Sequence, residues 1–133
     1  MKIGITGSRN VTKKELVYFI LKHVCNTYKL KPTALKSGGA NGVDKIAEEF
    51  FKQYFDINAQ VLKPDYEAFK GRERLAPLAR NGDIVKDNDY VIAIWAGETP
   101  EGKGGTWDAT KKAIAMQIPV IFVNVKRGTI ELK

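Results

Sequence analysis

Short apolar runs alternate along this chain with longer stretches in which apolar residues recur three and four positions apart. The first rhythm is that of buried strands, the second that of amphipathic helices. Residues 2–6 (KIGIT) read as a first strand. Thr12 then opens a helix, because Thr12 and Glu15 make a T-x-x-E capping box that satisfies free backbone donors of the first turn. Leu16, Phe19, Ile20, His23 and Val24 follow at helical spacing and mark its buried stripe. Pro32 falls in the next connection, and residues 34–37 form a short second strand. After SGGANGVD a second helix carries Val43, Ile46, Ala47, Phe50, Phe51 and Tyr54 on one face. Residues 57–62 (INAQVL) read as a third strand, stopped by Pro64, and 64–76 as a polar, basic loop. Pro77 suits the first turn of a third helix, where its missing N–H costs nothing. That helix runs to about Lys86 and ends at KDND.

Residues 90–95 (YVIAIW) are apolar throughout, as a central parallel strand should be. A glycine-rich loop leads to a fourth helix over about 106–116, and 119–124 (PVIFVN) form a fifth strand. The tail GTIELK is a candidate short edge strand. Strands alternating with helices predict a single Rossmann-like α/β domain over 1–133, a five-stranded parallel sheet with helices on both faces. Right-handed crossovers give the strand order 3-2-1-4-5. The ligand crevice of such a sheet lies at the carboxyl ends of the strands where the winding reverses, here between the first and fourth.

Three strands on that rim end in small, polar or glycine-rich loops. The first ends in Gly7, Ser8 and Arg9; the second in Ser37, Gly38, Gly39, Ala40, Asn41 and Gly42; the fourth in Gly104, Gly105 and Thr106. Glycine lets backbone N–H groups approach an anion, and a helix N-terminus adds free donors and a favourable dipole. The hydroxyls of Ser8, Ser37 and Thr106 add hydrogen bonds, and the Arg9 guanidinium suits a phosphate. Asp44 lies in a helix's first turn near the same place. Two familiar motifs are incomplete. Gly97, Gly102 and Lys103 match the start of a P-loop, but Gly104 stands where magnesium needs Ser or Thr. Gly39 and Gly42 match the dinucleotide pattern, but Ser37 takes its first glycine position. NAD is therefore not expected, and no cofactor is implied.

Composition narrows the classes further. The chain has 133 residues, 44% of them hydrophobic, enough for a real core without disulfides. One cysteine (Cys25) and one histidine (His23) exclude an intramolecular disulfide and are too few for a zinc site, so no metal is expected. No apolar run approaches a membrane span, and the opening MKIGIT lacks the shape of a signal peptide, so a cytoplasmic location is expected. The net charge of +7 favours anionic partners, although the only tight basic cluster is Lys70, Arg72 and Arg74.

Gly7-Ser8-Arg9, Ser37-Gly38-Gly39-Ala40-x-Gly42-Val43-Asp44, Arg80-Asn81 and Gly105-Thr106, in that order, resemble the SLOG superfamily. The nearest look is to its small YspA-like branch (DUF2493), over residues 3 to about 124. The resemblance implies a Rossmann-like fold that binds a nucleotide or nucleotide-derived small molecule, and a homo-oligomer, commonly a dimer formed through helices. Other members of the superfamily are cytokinin-activating phosphoribohydrolases and the DNA-processing protein DprA.

Arg80 matches an arginine of the phosphoribohydrolases. The G-T-x-x-E of those enzymes places its carboxylate at Ala109, with Asp108 one residue early. One helical residue turns a side chain by roughly 100°. The expected function is therefore binding of a nucleotide-type ligand, for sensing or sequestration. Arg9 and Arg80 would neutralise phosphate, Asn81 would line the site, and Trp107 or Tyr66 would contact the base. The alternatives are N-glycosidic hydrolysis of a nucleoside monophosphate, with Arg80 and Asp108 as catalytic residues, and DprA-like nucleic-acid binding.

Overall fold

A computed structural model describes residues 1–96 and 104–133. Its sheet has the order β3-β2-β1-β4-β5-β6. The strands are β1 (Lys2–Gly7), β2 (Ala34–Ser37), β3 (Gln60–Val61), β4 (Tyr90–Trp95), β5 (Val120–Asn124) and β6 (Thr129–Leu132). The first five run parallel in the order the sequence predicts. The sixth, the candidate edge strand, pairs antiparallel with β5 from Ile121↔Leu132 to Asn124↔Thr129, so the sheet is mixed and six-stranded. Four helices connect them: α1 (Lys14–Thr27), α2 (Val43–Phe55), α3 (Leu75–Val85) and α4 (Gly105–Ala115).

The unbroken apolar runs of β4 and β5 are explained by burial on both faces. Ile92, Ile94, Ile121 and Val123 pack with α1 and α2, around Val17, Leu21, Val24, Val43, Phe50 and Phe51. Val91, Ala93, Trp95, Val120 and Phe122 pack on the other face with Val85 of α3 and Ala109 and Ala113 of α4. Small residues on α4 let it lie close to the sheet. Each large side chain buried here stabilises the fold by about 1.5–3 kcal/mol. Among the described residues no helix is long and apolar enough to cross a membrane.

Four local expectations are corrected. The Thr12–Glu15 capping box does not form: α1 begins at Lys14 and its N-cap, Lys13, makes no side-chain capping bond. Val11 is buried and draws the chain onto the core before the helix starts. The buried stripe of α1 is Val17, Ile20, Leu21, Val24 and Cys25, while Phe19 is 70% exposed and stacks on the exposed His23. This helix carries apolar residues on more than one stripe, and packing against α2 and the sheet chose between them. The third strand shrinks to two residues. Asp56 adopts a left-handed conformation and the Ile57 N–H donates to Phe51 O (3.2 Å), a helix-ending turn that consumes the start of the apolar run. Finally, the 64–76 loop holds a 3-10 turn at Glu67–Phe69 and gives up its last two residues to α3, which starts at Leu75 and so keeps Pro77 in its first turn.

Candidate functional site

The loops after β1 and β2 pack tightly on each other. The Val11 and Val43 N–H groups both approach Ser8 O at 3.4 Å. Gly42 has φ +85°, and a Cβ there would lie 2.6 Å from the carbonyl oxygens of Ser8 and Arg9. Glycine is required here by both backbone angle and close approach. The β1 loop is also tied to β4: the Ser8 N–H donates to Ile94 O (3.0 Å), and Ser8 Oγ accepts from the Ala96 N–H (3.0 Å). The Ser8 hydroxyl hydrogen is left uncommitted by these bonds.

Between these loops and α3 lies a cleft of about 750 Å³ at the carboxyl ends of β1 and β4, the position expected from the topology. Of the residues singled out in the sequence, Gly7, Ser8, Arg9, Asp44, Arg80, Asn81, Gly104, Gly105 and Thr106 line it. Ser37, Gly38, Gly39, Asn41, Gly42 and Asp108 do not. Neither Trp107 nor Tyr66 lines it; Trp107 packs edge-on against Phe122, 6.0 Å between centroids, and Tyr66 is 53% exposed. The P-loop-like Gly97, Gly102 and Lys103 lie outside the described residues.

The β2–α2 loop does not hold an open anion cradle, because a side chain of the protein occupies it. Asp44, 6% exposed, accepts from the Ala40 N–H at Oδ2 (3.3 Å), and the Gly38 N–H also faces its carboxylate. Ser37 is fully buried; its hydroxyl donates to Glu48 Oε2 (2.7 Å) and accepts from the Gly39 N–H (3.2 Å). Burial pushes the Asp44 carboxyl up to about 6, and the nearby Glu48 charge adds to this. The Ala40 and Gly38 amides and the Arg80 charge offset only part of it.

Arg80 lines the cleft but is held by backbone. Its Nη1 donates to Gly38 O and Leu62 O, both at 3.1 Å, so the guanidinium fastens α3 to the ends of β2 and β3. Its buried Nε has no hydrogen-bond partner among the described residues. Asn81, 6% exposed, donates to Gly105 O (3.4 Å) and to Asp108 Oδ2 (3.1 Å). Asp108 is also paired with Lys112 (2.9 Å), so its carboxylate braces α3 against α4 rather than facing the cleft.

The other side of the cleft is cationic and rich in free donors. Among the described residues the first turn of α4 receives no side-chain cap, and Gly104, Gly105 and Thr106 border the cleft there. Helix N-termini of this kind attract anions. Arg9 and Arg74 line the same cleft and make no hydrogen bond or ion pair among the described residues. Arg74 was missed as a site residue; the signal was its place in the basic cluster just ahead of α3. Trp95, 8% exposed, also lines the cleft, and its indole N–H lacks a partner among the described residues. An apolar indole wall, two unpaired arginines and an open helix N-terminus can receive an anionic, flat or ring-bearing molecule.

No family model matches the chain, and no curated protein matches it. A solved structure of similar fold is that of DNA processing protein A from Helicobacter pylori, described for its single-stranded DNA binding mode. The two are 20% identical with a TM-score of 0.61, over 92% of this chain. This chain spans 65% of that protein's length. The likeness shows that the α/β fold is Rossmann-like, of the kind seen in DNA processing protein A.

Proposed function

We propose that this chain is a binding module of the SLOG type, nearest the YspA-like branch, that holds a nucleotide or nucleotide-derived ligand in the cleft between β1 and β4. One observation carries the reading: Arg9 and Arg74, without intramolecular partners among the described residues, face the same cleft as the uncapped N-terminus of α4. Phosphate binds there, with the Ser8 hydroxyl in reach and Trp95 forming the apolar wall. The carboxylate of Asp108 is already engaged by Asn81 and Lys112, which favours binding over glycosidic hydrolysis.

The test is a thermal-shift and calorimetric screen against nucleoside monophosphates, cyclic nucleotides and ADP-ribose, with the mixtures then separated by chromatography. A ligand at 100 times its Kd adds about 2.7 kcal/mol of stability. Intact ligand after binding supports the module; released free base supports a hydrolase. If nothing in the screen stabilises the protein, the small-ligand reading fails.

A second reading is binding of single-stranded nucleic acid. It is favoured by the likeness to DNA processing protein A and by the net charge of +7. Oligonucleotide binding that weakens steeply between low and moderate salt, with no response to mononucleotides, would select it.

A further inference from the structure

The cleft is electrically divided. Arg9, Arg74 and the N-terminus of α4 stand for the cationic part, whereas Asp44 puts a carboxyl into the wall at the end of β2. A phosphate cannot sit against that carboxyl without like-charge repulsion. The Asp44 side chain is fixed, since Oδ2 is anchored by the backbone amides of the β2–α2 loop. Its Oδ1 is buried and has no hydrogen-bond partner among the described residues. Arg80 does not supply one. A Cβ on Gly38 would lie 3.0 Å from Arg80 Nη1 and 3.1 Å from Asp44 Oδ2, so both groups meet at Gly38. Yet Arg80 Nη1 is spent on two carbonyl oxygens. A buried acceptor left unpaired is costly, and such groups in native proteins call for an explanation.

We infer that Asp44 is a specificity-determining residue that accepts a hydrogen bond from a sugar hydroxyl of the bound nucleotide, and so selects ribose over deoxyribose. The inference rests on the nucleotide reading above and names the ligand class within it. Asp44 lies in the first turn of the helix after β2 and Gly105 begins the helix after β4, on either side of β1, and both line the cleft. The ends of β2 and β4 are two strand spacings, about 10 Å, apart across the sheet. A 5′-phosphate and the sugar hydroxyls of one nucleotide, each at a hydrogen-bonding distance of about 3 Å, fit that span. The base lies against the apolar residues of α3 that line the cleft.

The test uses the full chain and calorimetric titration with the four ribonucleoside 5′-monophosphates, their 2′-deoxy counterparts and their 2′,3′-dideoxy counterparts. Wild-type protein should bind its best ribonucleotide about tenfold or more tightly than the matching dideoxynucleotide. Asp44→Ala removes the acceptor, and the preference should fall to within about twofold. Equal binding of ribo and dideoxy forms by the wild type overturns the inference and leaves the nucleotide reading standing. So does a preference that survives in Asp44→Ala. Absence of binding by every nucleotide overturns both. Should Asp44→Ala fail to melt cooperatively, the wild-type comparison alone decides.

Discussion

Asn81 donates to Asp108 across 3.1 Å, and this bond joins α3 to the first turn of α4 at the edge of the cleft. Asp108 is shared with Lys112, whose Nζ also reaches Leu78 O, so one carboxylate links both helices. Asp108→Ala should lower unfolding stability by about 1–2 kcal/mol, measured by urea denaturation. It should leave the products of any nucleotide incubation unchanged. Loss of a ligand-cleaving activity in this variant would reinstate Asp108 as a catalytic group.

Arg9 and Arg74 carry their charge without supporting the fold. Arg9→Ala and Arg74→Ala should each change stability by no more than about 0.5 kcal/mol. Each should weaken nucleotide binding about tenfold, the scale of one lost charged hydrogen bond. Arg80→Ala should differ, losing stability as well, because its Nη1 bonds to Gly38 O and Leu62 O disappear. If the Arg9 and Arg74 variants bind nucleotide as the wild type does, the phosphate does not lie where we place it.

Asp44 sets a pH dependence with a definite sign. Its carboxyl, raised to about 6 in the folded chain, returns to the ordinary range of about 4 on unfolding. The folded state therefore binds more protons between those values. The contribution of Asp44 to stability is fully present below about pH 4 and is lost as pH rises through 6. Asp44→Asn removes this loss. The variant should gain on the wild type by up to about 3 kcal/mol between pH 4 and pH 7, read from paired denaturation curves. A gap that stays constant with pH would show that Asp44 titrates normally. Glu48 and Arg80 are the charged groups that act on it, in opposite directions.

Gly42 is the tightest point of the loop packing. Gly42→Ala combines a left-handed φ of +85° with a contact of 2.6 Å to two carbonyl oxygens. It should destabilise the protein by about 2 kcal/mol or more. Ligand binding should weaken too, since the Arg9 backbone must move. Gly82→Ala, inside α3 with nothing within 4 Å of the added methyl, is the control and should be neutral or stabilising.

The order of strands and helices, and with it the position of the cleft, was legible in the sequence alone. Unbroken apolar runs such as 90–95 and helical spacing such as that of Val43, Ala47, Phe50 and Phe51 are local consequences of which faces are buried. Chain direction and crossover handedness then leave few sheets to choose from. The sequence also marked Gly7, Ser8, Arg9 and Thr106 at the rim, because glycines and hydroxyls cluster where strands pass into helices, and the SLOG resemblance added Asn81. Only the tertiary structure decided how those groups are spent. Ser37 looks like a ligand contact in a linear motif, yet it is sealed against Glu48, and Asp44 spends one carboxylate oxygen on an amide of its own loop and leaves only the other without a partner among the described residues. Arg80 turns to carbonyls 42 and 18 residues away, and Phe19 rather than Val17 is left in water. Each of these outcomes depends on partners distant in sequence, and hydrogen-bond competition and packing between them have no local signature.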